Sequence, residues 1–382
     1  MVPPWLAKGL GLDGAAERAD RPLHVCHVTE APLGGVVAHL DELIARQLED
    51  GLRVDLVTPA INLDALSDVI PRLGAVSSFA LERGGVRPLA VLGAQTLRRA
   101  RASRPDLVHV HSTFAGAVVR GLRAGLPRGT GLVYCPHGWA FLRRGRAAAR
   151  YAAAAVERGL ARRSDRIVCV SEFEREEGLA AGLPPDRLVV VENGVSDVPA
   201  PAARRPEAGP LVVGFAGRFD RQKGYDTFLE AMRMVPEMRG ITVGRPIVAG
   251  QAPPEAPPNV EHRGWLPREA VRAFYGEVDV LMVPSRWEGL CLVGIEAMQA
   301  GTPLLASRIG GLAELVEDGR TGRIFEPDDA EGAAALLRSA SREGLRAMGE
   351  AGRRRYRERY TAERMARGMA AVYEDVLAAR RR

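Results

Sequence analysis

Two textures alternate along this chain. Short runs of Val, Leu and Ile, nearly continuous in apolar residues, each lead through a turn into a longer stretch with apolar positions three and four apart. LHVCHVT (23–29) is of the first kind, GGVVAHLDELIARQLED (34–50) of the second, and RVDLVTP (53–59) of the first again. DLVHVHS (106–112), GLVYCPH (131–137) and RIVCVSE (166–172) continue the series, with Ala- and Arg-rich stretches between them. Continuous apolar strands alternating with helical periods predict a parallel sheet covered on both faces. Ser171 and Glu174 make a capping box that starts a helix after RIVCV.

The alternation stops at SDVPAPAARRPEAGP (196–210), rich in Pro, Ala and charge and without apolar periodicity. This predicts a linker, with a surface loop inside one domain as the alternative. Beyond it the pattern restarts. LVVGFAG (211–217), PIVAG (246–250), VDVLMVP (278–284) and TPLLAS (302–307) read as strands. Helices are predicted from about Tyr225, over PREAVRAFYGE (267–277) and over VGIEAMQAG (293–301). The predicted architecture is two Rossmann-like α/β domains, 21–197 and 206–360, whose parallel sheets face a cleft. Ligands in such sheets bind at the carboxyl ends of strands. In the tail, 361–382, Met365, Met369, Val372, Tyr373, Val376 and Leu377 form one stripe. An amphipathic helix capped by Thr361 and packing back on the first domain is expected.

Composition narrows the class. At 382 residues, 46% hydrophobic and 26% charged, the chain suits two globular lobes. Aromatics at 5% leave an aliphatic core. A net charge of +6 fits an anionic ligand or membrane surface, but no nucleic-acid-reading module is present, so nucleic acid is not an expected partner. Cys26, Cys135, Cys169 and Cys291 never form a CxxC pair, and the first three sit inside apolar runs. They read as buried thiols of a reducing compartment, with no zinc spacing and no expected metal. Met1–Asp20 holds neither a secretory signal nor a span, and no later run is long enough to cross a bilayer. A cytoplasmic location is expected.

Chemistry concentrates in SRWEGLCLVGIEAMQAGTP (285–303). Glu288 precedes a predicted helix and Glu296 lies within it, just past a strand end. Carboxylates accept two hydrogen bonds each and suit sugar and ribose hydroxyls. The backbone amides near Leu292 and Val293 at the helix start suit a diphosphate. The pair makes sense if one carboxylate holds the ribose, the other a sugar, with phosphates between.

E-x7-E followed by AM-x-AG-x-P resembles the retaining nucleotide-sugar glycosyltransferases of family GT4, which have the two-domain GT-B fold. The resemblance spans roughly residues 23 to 327. It is supported by LGGVVAHL, PHGW, RSDRIVCVSE, VENGV, GFAGRFDRQKG, GWLP and GLAELVEDGRTGRIFEPDD in the expected order. It implies that Arg218 and Lys223 clamp the donor diphosphate and stabilise the leaving group. Glu296 would bind the ribose, and Glu288 with the backbone of Gly289, Leu290 and Cys291 the donor sugar. His137, in YCPHGW, would contact that sugar. His111 is read instead as a packing residue. Gly34 and Gly35 correspond to the family's glycine loop, and Trp265 and Leu266 to its base cradle, although a Trp here serves equally as a core anchor. Cys291 departs from the Gly or Pro common at its position, which bears on the sugar pocket rather than on the helix start.

No DxD-type metal site is present, and the resemblance implies metal-independent, front-face transfer with retention. No cofactor beyond a UDP- or GDP-sugar donor is expected, and the acceptor would be a glycan or a lipid-linked glycan. The Arg-dense stretch 141–165 would suit peripheral association with an anionic membrane. A solvated face is the plainer account of it. The competing readings are a nucleotide-sugar epimerase of the same fold and a non-catalytic nucleotide-sugar binder.

Overall fold

The Val- and Leu-rich runs pair side by side into two parallel sheets, one in each of two units. The structure, a computed structural model, describes residues 21–80, 87–143, 145–199, 209–246 and 255–381. Unit 1 is Met1–Gly194 with Ala362–Arg382, and unit 2 is Val195–Thr361.

Unit 1 contains β1 (His24–Thr29), β2 (Arg53–Pro59), β3 (Ala75–Phe79), β4 (Leu107–His111), β5 (Gly131–Cys135), β6 (Arg166–Cys169) and β7 (Leu188–Val190). They lie in the order β3-β2-β1-β4-β5-β6-β7, every pair parallel. The strand order turns back on itself between β1 and β4, whose register sets His27 beside His109 and Thr29 beside His111. Among its helices are α1 (Gly35–Glu49), α2 (Arg87–Ser103), α3 (Thr113–Gly121), α4 (Ala147–Ala161) and α5 (Glu172–Ala180). At the start of α5, Ser171 accepts from the Glu174 amide at 3.1 Å, while the Glu174 carboxylate takes the Val170 amide. That is the capping box read from the sequence, closed one residue earlier than its usual form.

Unit 2 repeats the scheme with β8 (Val212–Ala216), β9 (Arg239–Val243), β10 (Val260–His262), β11 (Val280–Val283), β12 (Leu304–Ser307) and β13 (Gly322–Phe325), ordered β10-β9-β8-β11-β12-β13. Its helices include α6 (Tyr225–Met234), α7 (Arg268–Glu277), α8 (Leu292–Ala300), α9 (Gly310–Leu315), α10 (Ala330–Arg338) and α11 (Arg342–Arg359). β8 lies between β11 and β9, the latter formed by RGITV, which the hydropathy pattern does not single out; of the PIVAG run, residues 247–250 lie outside the described residues, as do 200–208 of the linker. RGITV escapes a hydropathy reading because Gly and Thr dilute it, and β3 and β10 escape because they are edge strands with partly solvated side chains. The final helix, α12 (Ala362–Arg381), buries Met365, Met369, Val372, Tyr373 and Val376 and packs against α1 and β5.

Under β5 the core holds a charge. Arg120, fully buried, pairs with Glu157 at 2.8 Å and lies 3.9 Å over the Tyr134 ring, whose hydroxyl donates to the same carboxylate. Gly116 makes room, since a Cβ there would lie 2.2 Å from the Tyr134 ring. Removing one partner of a buried ion pair strands the other charge. Glu157→Ala should therefore cost about 3–5 kcal/mol in denaturant unfolding; a loss under about 1 kcal/mol, the range of solvated pairs, would contradict this account.

Candidate active site

Reversal of strand order leaves the carboxyl ends of the two central strands uncovered, and ligands bind there in open α/β sheets. In unit 2 those strands are β8 and β11. The loop after β8, Gly217–Gly224, and the loop after β11, Pro284–Cys291, are stitched together by the backbone. The Arg286 amide donates to the Gln222 carbonyl at 2.8 Å, and the Gln222 side chain donates to the Trp287 carbonyl at 3.2 Å. Gly224 permits this approach. It sits at φ +66°, and a Cβ would fall 1.9 Å from the Pro284 carbonyl oxygen.

The stitching brings together three side chains singled out in the sequence. The Lys223 ammonium pairs directly with Glu288, which also accepts from the Ser285 hydroxyl at 2.9 Å. Burial opposes the Lys223 charge, but Glu288 outweighs it and the lysine is held above its ordinary pKa. Arg218 is fixed by Asp220 at 3.0 Å and by Gln222 at 2.6 Å. Next to them Gly289, Leu290, Cys291 and Leu292 are buried and Val293 half-buried, at the start of α8. Cys291 takes the N-cap position at an ordinary φ of −77°, so a non-glycine residue begins the helix without strain. Burial, reinforced by Glu288, raises its thiol to about 11, and it stays protonated.

Glu296 lies one turn further along α8 and accepts from the Tyr275 hydroxyl of α7 at 2.7 Å. Sequence reasoning did not find Tyr275, because its contact with Glu296 is made between helices. Trp265 and Leu266 follow β10. The indole is 47% exposed with the Arg245 guanidinium over it at 5.3 Å, so it is not a core anchor.

In unit 1, Gly34 and Gly35 form the turn between β1 and α1, and open space surrounds both Cα positions. Gly34, at φ +142°, caps the helix through its carbonyl. His137 stands two residues past β5 in a left-handed backbone conformation, φ 52°, unusual for a residue with a Cβ. Its Nε2 lies 2.9 Å from His111 Nδ1, and His111 Nε2 lies 2.9 Å from His27 Nδ1. His27 reaches Gln47 at 2.8 Å, Gln47 donates to Tyr373, and Tyr373 meets His109 at 2.7 Å. His39 stands beside His137 and is tied to Asn193 at 2.9 Å. His111 is thus a packing residue that also orients His137. Burial lowers all five imidazoles below their ordinary pKa, His27 and His39 to about 4, so they are neutral near pH 7. The sequence signal for this cluster was HVH in β4 with HVCH in β1, and only the strand register shows that His27, not His24, stands beside His109.

The Glu30 carboxylate, just past β1, is committed to the Ser112 hydroxyl and to the Phe114 and Ala115 amides at the start of α3.

Comparison with known proteins adds the following. A family model described as Glycosyltransferase Family 4 matches residues 33–197, and one described as Glycosyl transferases group 1 matches residues 210–342. The chain is 28% identical to an alpha-maltose-1-phosphate synthase of Mycolicibacterium smegmatis, over 90% of this chain and 96% of the relative. It is 29% identical to a D-inositol 3-phosphate glycosyltransferase of Streptomyces coelicolor, over 83% and 81%. The structure of Anabaena HepE in complex with UDP-glucose has a TM-score of 0.75–0.76 to this chain across its ligand forms; in the UDP-glucose form the value is 0.76, at 17% identity, over 92% of this chain and 99% of that one.

The Glu296–Tyr275 pair yields a titration test. Burial raises the Glu296 carboxyl above its ordinary pKa, and the Tyr275 hydroxyl pulls it back by bonding to the carboxylate. In Tyr275→Phe the carboxyl should titrate at still higher pH, read from the side-chain carbon shift. An unmoved or lowered midpoint would show that the hydroxyl does not stabilise the ionised form.

Proposed function

Since this chain belongs to glycosyltransferase family 4 and has the GT-B fold, we propose that it is a retaining, metal-independent transferase. It moves a sugar from a nucleotide diphosphate sugar, most simply a UDP-sugar, to a glycan or lipid-linked acceptor. The observation that carries this reading is the Lys223–Glu288 pair, held beside Arg218 and the N-terminus of α8 at the β8–β11 switch point. A diphosphate there meets a bidentate guanidinium, an ammonium and a helix start. Each favours negative charge, most of all when the sugar–phosphate bond breaks and the diphosphate takes up the electron pair. Arg218 and Lys223 thus do for the leaving group what a metal does in other transferases.

Glu296 takes the ribose hydroxyls, with Tyr275 fixing its rotamer. Trp265, solvated and beside Leu266, offers a face for the base. Glu288, with the backbone of Gly289–Cys291, takes the donor sugar, and once the diphosphate draws Lys223 away, its carboxylate is free to accept sugar hydroxyls. His137, neutral and oriented by His111, binds a sugar hydroxyl in unit 1, where Gly34 and Gly35 leave the backbone open.

Two observations support the finer points. Inversion needs an uncommitted carboxylate base at the acceptor. The carboxylate that ends β1, Glu30, is instead spent on capping α3, which favours front-face attack with the departing phosphate accepting the acceptor's proton. The exposed side of α4 carries Tyr151, 76% exposed, and Val156 among Arg150, Arg158 and alanines, while Glu157, its one acid, is turned inward. A basic face with apolar side chains suits an anionic membrane surface and so a lipid-linked acceptor.

Lys223→Ala and Glu296→Ala should each weaken UDP binding by about 10–100-fold, the worth of one charge-assisted hydrogen bond, with unchanged circular dichroism. If both bind UDP like the parent, the site is elsewhere. With radiolabelled donor, transfer to an acceptor supports this reading, isomerised free donor indicates an epimerase, and binding without turnover a binding protein. Retention is read from the anomeric configuration of the product.

A further inference from the structure

Five of the seven histidines of this chain gather on one face of the unit 1 sheet, and their hydrogen bonds leave a specific set of nitrogens unspent. The Asn193 side-chain oxygen can only accept, so His39 carries its proton on Nδ1 and its lone pair on Nε2. That Nε2 is buried and has no hydrogen-bond partner, in a residue only 1% exposed. The same logic runs through the second arm. Gln47 Oε1 accepts from His27 Nε2, so His27 Nδ1 accepts from His111 Nε2, which leaves the His111 lone pair on Nδ1. The His111 lone pair lies 2.9 Å from His137 Nε2, the His39 ring stands edge-on to His137 at 4.6 Å between centroids, and one ring nitrogen of each of the three falls within 4.8 Å of the others.

We propose that His39, His111 and His137 form a binding site for one divalent transition-metal ion of the Zn²⁺ class. Three neutral imidazoles with an open fourth position are a known ligand set for zinc. Zn–N bonds of about 2.0–2.1 Å in a tetrahedral site place the nitrogens about 3.3 Å apart. The His111–His137 pair stands at 2.9 Å, so an adjustment of well under a bond length opens it. Metal-bound histidines donate their second ring nitrogen to an outer acceptor that fixes the tautomer. Asn193 does this for His39, and His27, backed by Gln47, does it for His111. In the metal-free cluster His137 Nε2 donates to His111 Nδ1, so on binding its proton would shift to Nδ1 and Nε2 would go to the ion; no net proton is released. Being half-buried while the other two are fully buried, it marks the side from which an ion enters and on which a water or hydroxyl completes the shell.

The neighbouring triad of His27, His109 and His111 does not offer the same set. Both ring nitrogens of His27 are already engaged, by His111 and Gln47, and His109 Nδ1 is taken by Tyr373. The proposed site lies wholly within unit 1; it shares His137 with the sugar-transfer reading, but its test reads metal binding and not transfer, so either can fail without the other.

The test uses the full chain, purified without metal-affinity resin, stripped with chelator, and titrated with Co²⁺ and then with Zn²⁺ in competition. One equivalent of Co²⁺ should bind with the strong visible absorption of a tetrahedral site, and Zn²⁺ should displace it. His39→Phe should abolish this. Asn193→Leu, which keeps all three ligands, should weaken it about 10–100-fold, as losing an outer partner does. The absence of saturable one-to-one binding overturns the proposal and leaves the cluster held by hydrogen bonds alone. Binding that survives His39→Phe overturns it equally, by placing the ion elsewhere. If His39→Phe does not fold, the Asn193→Leu affinity decides.

Discussion

Strand order reverses at β1/β4 and again at β8/β11, and the chemistry of each unit is set by that reversal. Helices leaving the two central strands depart toward opposite faces, so the loops at their carboxyl ends are left without cover while everything around them is buried. In unit 2 the two loops are joined by three hydrogen bonds to backbone carbonyls and a glycine that lets the chains meet. In unit 1 the same position is filled from the sheet itself, by histidines that β1 and β4 bring into register. The same topology thus builds a charged site in one unit and a neutral polar one in the other.

Much of this was legible in the residues. Strands that are apolar on both faces cannot be solvated on either, so their near-continuous Val and Leu announced the parallel sheets. Glu288, Lys223 and Arg218 lie within a few residues of strand ends, where a loop's position follows from the strand's, and their meeting could be anticipated. Tyr275 and the histidine cluster were hidden for the opposite reason. Tyr275 reaches Glu296 from one helix to the next, and His39 reaches His137 from helix to loop across nearly a hundred residues. No local spacing encodes such contacts. A reading of metal-ligand spacing cannot reach such a cluster either, since it looks for ligands close in sequence, whereas His39, His111 and His137 come from α1, β4 and the turn after β5.

Glycines and cysteines show how identity and context divide the work. Gly224 is required, because its backbone conformation and the Pro284 carbonyl both forbid a side chain. Gly34 and Gly35 both face open space, but Gly34 sits at φ +142°, so the turn into α1 needs a glycine there while Gly35 is not held by sterics. Cys291 looked like a departure in the donor-sugar segment, yet its backbone is ordinary and its thiol is kept protonated by burial and by Glu288. It therefore behaves as a small apolar side chain at the start of α8 rather than as a reactive thiol.

Burying five imidazoles is expensive. The four that are fully buried must find partners for two ring nitrogens in a place water does not reach, and an unmet nitrogen costs about 1–3 kcal/mol; His137 is half-buried. The chain from Tyr373 through Gln47, His27 and His111 to His137 meets nearly all of them, and it has a direction. Because the two ends of the Gln47 amide are chemically distinct, its orientation dictates the tautomer of every imidazole along the arm to His137. A residue that touches no ligand therefore decides whether His137 offers a proton or a lone pair toward His111. Two ring nitrogens of the cluster stay buried and unpartnered, His109 Nε2 and His39 Nε2. Tyr373, which accepts from Gln47, gives its proton to His109 Nδ1, so His109 Nε2 is an N–H, whereas His39 Nε2 is a lone pair placed where the arm ends at His137, which is the nitrogen an ion there would use.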